Sequence, residues 1–499
     1  MEFFYLLLCT SFLLIATHGL LSFRNWLSIS RKLPPGPFGL PIVGSLFQIG
    51  DRPHESLMAL AHAHGPLMSL RLGFVTTVVV SSADMAKEIL QKKDHAFAGR
   101  AIPDSATAEA NYELSVAWLP PGPLWRTLRK ILNTQIMTIQ RLDALQGLRN
   151  KKMVELVQHV REISVAGREV NIGWLAFATT FNLLSSTVFS INLVDLKSDG
   201  AQEFKDAVSR IMEFAGKPNL SDYFPFLRPF DLQQIRRSVK VSYDRLHVLI
   251  NEIVNQRLQY RELGCARNED FLDVLLDYSQ EHGPEFDRRQ VNSLLADLFI
   301  AGSDTTSTAI EWVMAELLHN PDKMAKAQKE LADMIGTRRA IEESDIPQLC
   351  YLQAVVKEAM RLHPTVPLLL PHRAVADVEL CGFIIPKNTQ VLINAWAIAR
   401  DASIWEDPTS FKPERFLRSD VDFRGGNFGF LPFGAGRRIC PGMPLAVRMV
   451  SLMVATLIHS FDWKLPNGML PHEMDISDRF GVTLQKAYPL VAVPFLHLV

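Results

Sequence analysis

The stretch "RRQVNSLLADLFIAGSDTTSTAIEWVMAELLHNP" constrains the fold more than any other. Its pattern predicts one helix from about Arg288 to Asn320, stopped by Pro321. At 1.5 Å per residue such a helix is roughly 45 Å long, enough to cross a whole domain. It is apolar nearly all round, so other elements must bury it on every side. Its middle breaks the pattern, because Gly302, Ser303, Asp304, Thr305 and Thr306 sit where a core helix favours hydrocarbon. A glycine there costs about 1 kcal/mol against alanine, and a buried aspartate needs a partner or a task. One reading is a polar kink whose threonine hydroxyls bond back to the preceding turn. The other is a working site set into an apolar interior.

The rest of the chain suits a large body around that helix. Its 499 residues are 48% hydrophobic, ample for a sizeable core. Helical periodicity dominates, in segments such as "NKKMVELVQHVREI" and "SYDRLHVLINEIVNQRLQY". Strand signals are confined to Pro66–Ser82 and Val378–Asn394. The expected class is therefore mainly α with smaller β-sheets (α+β). No repeat or flexible linker divides the chain after Pro41, and no GxGxxG or P-loop offers a nucleotide site. The net charge of -1 gives no bulk attraction to nucleic acid. Cys9, Cys265, Cys350, Cys381 and Cys440 are scattered without CxxC spacing, against a disulfide framework or a zinc site.

The uncharged run from Phe3 to Phe23 is long enough for a membrane-spanning helix, and Arg24, Arg31 and Lys32 follow it. The positive-inside rule then puts the remainder in the cytosol. A cleaved signal peptide is the alternative, disfavoured because no basic residue precedes the run. Residues 1–32 are read as an anchor with its basic flank. The prolines of "KLPPGPFGLPIVG" make 33–45 a stiff hinge, and 46–499 form one domain. With this topology the sequon at Asn219 stays unmodified.

Cys440 lies in "LPFGAGRRICPGM", crowded by glycines and arginines. Cations, peptide N–H groups and a helix N-terminus all favour a thiolate. Arg437 and Arg438 bring charge; Gly434, Gly436 and Gly442 permit tight turns that aim N–H groups at sulfur; Pro444 suits the start of the next helix. A lone thiolate suits haem iron, whose equatorial positions are filled by the porphyrin.

"FGAGRRICPG", Phe433 to Gly442, resembles the FxxGxRxCxG haem signature of cytochromes P-450. Ala301 to Thr306 resembles that superfamily's AGxDTT stretch, Glu358 to Arg361 its ExxR, "FKPERF" with Arg415 its PERF, and Trp125 to Arg129 its WxxxR. Glu285 to Arg288 also fits ExxR and is taken as a surface coincidence. The whole chain looks like a plant microsomal A-type enzyme of the geraniol hydroxylase and diterpene hydroxylase family.

The resemblance implies a cytochrome P-450 fold and haem b held through Cys440. It implies an O₂-dependent monooxygenase facing the cytosol from the endoplasmic reticulum membrane. Its electrons come from NADPH through cytochrome P-450 reductase. Arg100, Trp125, Arg129, His372 and Arg438 are then expected at the haem propionates, with Ala301, Phe433 and Gly442 against the cofactor. Thr305 is expected to face the oxygen site. Asp304 should point away from it, towards a proton path. Glu358, Arg361 and Arg415 should form a structural network. Arg126, Lys130 and Arg448 are candidates for a basic docking face, and Arg437 is left without a role.

The same resemblance suggests an apolar terpenoid substrate, a monoterpenoid or diterpenoid. Pocket walls are expected from 101–118, Leu298 to Ala301, Thr365 to Pro371 and Phe480 to Leu484, with Leu298, Val366, Leu369 and Val482 as named candidates. A phenolic or flavonoid-type substrate is the first alternative. An isomerase or dehydratase acting on hydroperoxides without O₂, and a non-enzymatic membrane-tethered haem protein, are others. The intact Asp304–Thr305 pair argues against the hydroperoxide enzyme.

Overall fold

The computed structural model describes residues 33–109, 112–194, 200–265, 267–268, 270–336 and 339–496, the side chains of 200–203 excepted. The expected membrane anchor, 1–32, lies outside these residues.

The helices that build the site are α1 (Pro123–Ile131), α2 (Ile172–Phe189), α3 (Gly200–Gly216), α4 (Ile235–Glu262), α5 (Arg288–His319), α6 (Cys350–Leu362) and α7 (Met443–Ser460). The long helix α5 matches the expected element closely. Asp287 caps it by accepting from the Arg289 N–H, and its own N–H donates to Gln290 in a capping box. It ends at Asn320, and Pro321 does more than stop it: it opens the next helix, Pro321–Ile335.

α5 runs through the core with α2 against it. Phe299 of α5 meets Phe181 and Phe189 of α2 at ring separations of 5.2 and 5.3 Å. Gly302 belongs to this contact, since a Cβ there would stand 2.9 Å from a Leu184 methyl. The glycine thus lets the two helices approach closely. α2 and α7 are apolar and long enough to span a bilayer, but both are mostly buried within the protein.

The main sheet has five strands, β1 (Leu67–Leu72), β2 (Val75–Val80), β3 (Gly99–Arg100), β4 (His372–Arg373) and β5 (Gln390–Ile393), in the spatial order β1-β2-β5-β4-β3. β1 and β2 form the hairpin expected in Pro66–Ser82, and β2 pairs with β5 in parallel. A two-stranded piece, Asp478–Arg479 with Gln485–Lys486, sits near the C-terminus.

The proline segment is docked on the body. Ser69 donates its N–H to Pro35 O (2.9 Å) and its hydroxyl to Pro34 O (2.7 Å), and Leu33 is buried. Asn219 is also buried, its side chain capping a short helix, which agrees with an unmodified sequon.

Candidate functional site

The loop that presents Cys440 depends on two glycines in the left-handed region. Gly434 has φ +68° and Gly436 has φ +67°. A Cβ on Gly436 would fall 1.7 Å from the Leu90 carbonyl oxygen, so no other residue fits. The Cys440 N–H donates to Phe433 O at 3.0 Å and closes the loop. The N–H groups of Gly442 and Met443, at the start of α7, lie beside the sulfur and favour its thiolate.

The glycine turn and the N–H donors are therefore different residues. The cation acting on the sulfur is Arg129, from α1, and not Arg437 or Arg438. Arg437 is an outward residue paired with Asp94 at 3.0 Å. Burial raises the thiol pKa, and the two N–H groups and Arg129 oppose that rise. Cys440 keeps open surface deep in the fold because that surface faces a cavity.

The cavity holds about 360 Å³. Arg100, Trp125, Arg129, His372 and Arg438 line it together, as do Ala301, Phe433 and Gly442 beside Cys440. The Arg438 guanidinium lies 4.5 Å from the Trp125 ring centre. Among the described residues no carboxylate pairs with Arg100, Arg129 or Arg438. They bond instead to backbone carbonyls: Arg100 to Leu370 O (2.6 Å), Arg129 to Ile439 O (2.9 Å), and Arg438 to Ala98 O (2.8 Å) and Leu119 O.

Burial, then repulsion from Arg438 and Arg129, pushes Arg100 down to about 9. Arg438 falls to about 10 through burial and then Arg129. Burial also drives His372 well below the usual histidine range, Arg100 adding to it. The Nε of Arg100 and the Nε1 of Trp125 are buried without an acceptor among the described residues. A dianionic group would relieve all of these at once. Uncompensated cations, orphaned donors and one open thiol thus fit a haem with two propionates.

On α5, Thr305 lines the cavity and Asp304 does not. The Thr305 hydroxyl bonds back to Ala301 O at 2.5 Å, and Ser303 does the same to Phe299 O at 2.7 Å. Back-bonding and a working site, the two readings of this stretch, thus coexist. Asp304 is buried and accepts from Ser209 (3.1 Å), Thr483 (2.7 Å) and Gln485 (2.9 Å). Burial raises its pKa; these bonds and the nearby Lys205 lower it.

Glu358 and Arg361 on α6 form a double hydrogen bond at 2.7 and 2.9 Å, and Arg415 reaches Glu358 at 3.0 Å. This trio lies away from the cavity. In the other ExxR copy Glu285 is exposed, and Arg288 turns instead to Asn251. Arg448 is spent on Asp143 and Glu343, both at 2.7 Å, so it drops out of the expected basic face. Arg126 and Lys130 are exposed.

Leu298, Val366, Leu369 and Val482 all line the cavity. Sequence reading missed Leu183 and Leu184 of α2, Ile211 and Met212 of α3, and Tyr243 of α4. It also missed the acidic wall residue Asp297, whereas Glu109 lies in the expected 101–118 wall. Asp297 carried a signal, being one more charge on the apolar helix.

The cytochrome P450 family profile matches residues 34–491. The chain is 50% identical to geraniol 8-hydroxylase of Swertia mussotii over 99% of both proteins. It is 46% identical to drimenol monooxygenase of Persicaria hydropiper, over 99% of this chain and 97% of that one. It is 44% identical to ferruginol synthase of Salvia miltiorrhiza, over 98% and 99% respectively.

Proposed function

The chain belongs to the cytochrome P450 family, a haem-thiolate monooxygenase served by a reductase, and from that premise we propose that it hydroxylates a terpenoid in the cavity above Cys440. The observation that carries this reading is the open thiol of Cys440 in a cavity that is otherwise apolar apart from its cationic rim and a few wall groups. When bound, haem supplies activation of O₂ with electrons from NADPH.

Each residue then has a task. Cys440 holds the iron, its sulfur steadied by the Gly442 and Met443 N–H groups. Arg100, Arg129, Arg438, His372 and Trp125 hold the propionates. Thr305 presents its side chain to the oxygen side, and its hydroxyl can exchange the Ala301 carbonyl for an incoming acceptor. Asp304 stands behind it as the proton-handling group. Leu298, Val366, Leu369 and Val482 exclude water and shape the substrate site. Glu358, Arg361 and Arg415 keep the body rigid. Residues 1–32 tether the protein to the endoplasmic reticulum membrane, with the body in the cytosol.

The test is turnover by membranes that carry the protein, reductase and NADPH, given a panel of mono- and diterpenoids. Oxygen-dependent hydroxylation of a terpenoid is the expected result. Products formed only from phenylpropanoids or flavonoids would overturn it.

A further inference from the structure

One corner of the cavity wall is polar. Asp297 of α5 lines it with Ser115, Tyr243 and Glu109. Asp297 lies more than two turns before Thr305, about 12 Å along the axis at 1.5 Å per residue. Its Oδ1 accepts from the Ser115 hydroxyl at 2.8 Å and its Oδ2 from the Val116 N–H at 2.7 Å, with the Ala117 N–H close by. Glu109 is paired with His247 at 2.8 Å. Tyr243 is only 7% exposed, and its hydroxyl has no hydrogen-bond partner among the described residues.

A carboxylate offers about four acceptor positions, and the loop takes two of those on Asp297, the Ala117 N–H donating to the Ser115 hydroxyl oxygen at 3.2 Å. A buried phenol donor left unpaired is costly. The corner therefore presents open acceptor capacity and one open donor. An alcohol carries the complementary set, one donor and acceptor lone pairs, whereas an ammonium carries three donors and no acceptor.

We infer that this corner binds the hydroxyl group of a terpenoid alcohol, which donates to Asp297 and accepts from Tyr243. The inference rests on the terpenoid reading above and narrows it from hydrocarbons to alcohols. Two relatives bear the names of such alcohols, geraniol and drimenol. Away from this corner and the cationic rim the wall is mostly apolar, its other polar residues being Thr180, Ser293, Thr305, Thr306 and Thr365. Fixing the hydroxyl here lays the chain along α5 towards Thr305, so oxidation falls at the end remote from the hydroxyl.

The test uses the holoenzyme and spectral titration with geraniol, with a diterpenoid alcohol, and with the hydrocarbon of each skeleton. An alcohol should bind at least about tenfold more tightly than its hydrocarbon, the worth of one or two satisfied hydrogen bonds. Tyr243→Phe should erase most of that ratio, weakening alcohol binding far more than hydrocarbon binding, and should scatter the products along the chain. This variant deletes a single oxygen and leaves the Asp297 staple intact. Equal binding of alcohol and hydrocarbon, or a ratio untouched by Tyr243→Phe, would each overturn the anchor alone. Binding of no terpenoid in either form would overturn the terpenoid reading itself, and the anchor with it.

Discussion

Glu358→Gln isolates the buried ion network. Glu358 and Arg361 are fully buried, and Arg415 adds a second guanidinium 3.0 Å from the carboxylate. Gln keeps the shape and one acceptor but removes the only negative charge between two cations. Arg361 still has its carbonyl partners Ala399 and Pro408, at 2.6 and 2.7 Å, which soften the loss without neutralising the charge. Breaking such a pair from one side costs about 3–5 kcal/mol. In a large domain each kcal/mol moves the midpoint by about 2 °C, so the melt should fall by about 6–10 °C. The assay follows heat-induced loss of helical circular dichroism and of haem absorbance together. Glu285→Gln, in the second ExxR, serves as the control and should leave both unchanged. A Glu358→Gln melt within about 1 °C of the parent would refute the structural assignment, all the more if activity were lost.

Gly436→Ala should prevent the Cys440 loop from closing, because its Cβ would meet the Leu90 carbonyl at 1.7 Å; the haem content of the purified protein reads this directly, and normal content refutes it. Arg438→Ala should weaken haem retention, whereas Arg437→Ala should not, since an exposed pair such as Arg437–Asp94 contributes about 1 kcal/mol or less; haem transfer to apomyoglobin separates the two. Burial raises the Asp222 pKa from 3.8 to about 6, opposed by the Asp104 N–H at 2.6 Å. The folded protein thus holds this proton more tightly than the unfolded one. Stability should fall as pH rises from about 4 to about 6, by up to about 3 kcal/mol, and Asp222→Asn should flatten that part of the profile; denaturant melts across this range measure it.

Local chemistry wrote the readable parts of the fold. The limits of α5 follow from Asp287 and Gln290 at one end and Asn320–Pro321 at the other, all within a turn of the helix. The Cys440 loop was legible because its donors and glycines are neighbours in the chain. The partners of Asp304 were not. Thr483 and Gln485 lie some 180 residues away, and their pairing depends on a short hairpin whose sequence has little strand character. Arg448 looked like free surface charge, and only folding brings Asp143 and Glu343 to it. Leu183 and Met212 read as ordinary core residues of α2 and α3, which they are. That they also wall a cavity depends on how three helices meet.

The docked proline segment has a consequence for handling the protein. β1 is the outer strand of its sheet, with apolar Leu67, Met68, Leu70 and Leu72. Residues Pro34, Pro35 and Gly44 occupy its free side, Ser45 donates to the Arg71 carbonyl, and Gly36 nests against the Ser69 carbonyl where a Cβ would come within 1.8 Å. Prolines lack the N–H that would recruit another strand, so this cover cannot itself be extended. Trimming the chain past Leu33 to gain solubility would bare a sticky edge and invite self-association. A fragment that begins at or before Leu33 keeps its own guard against it.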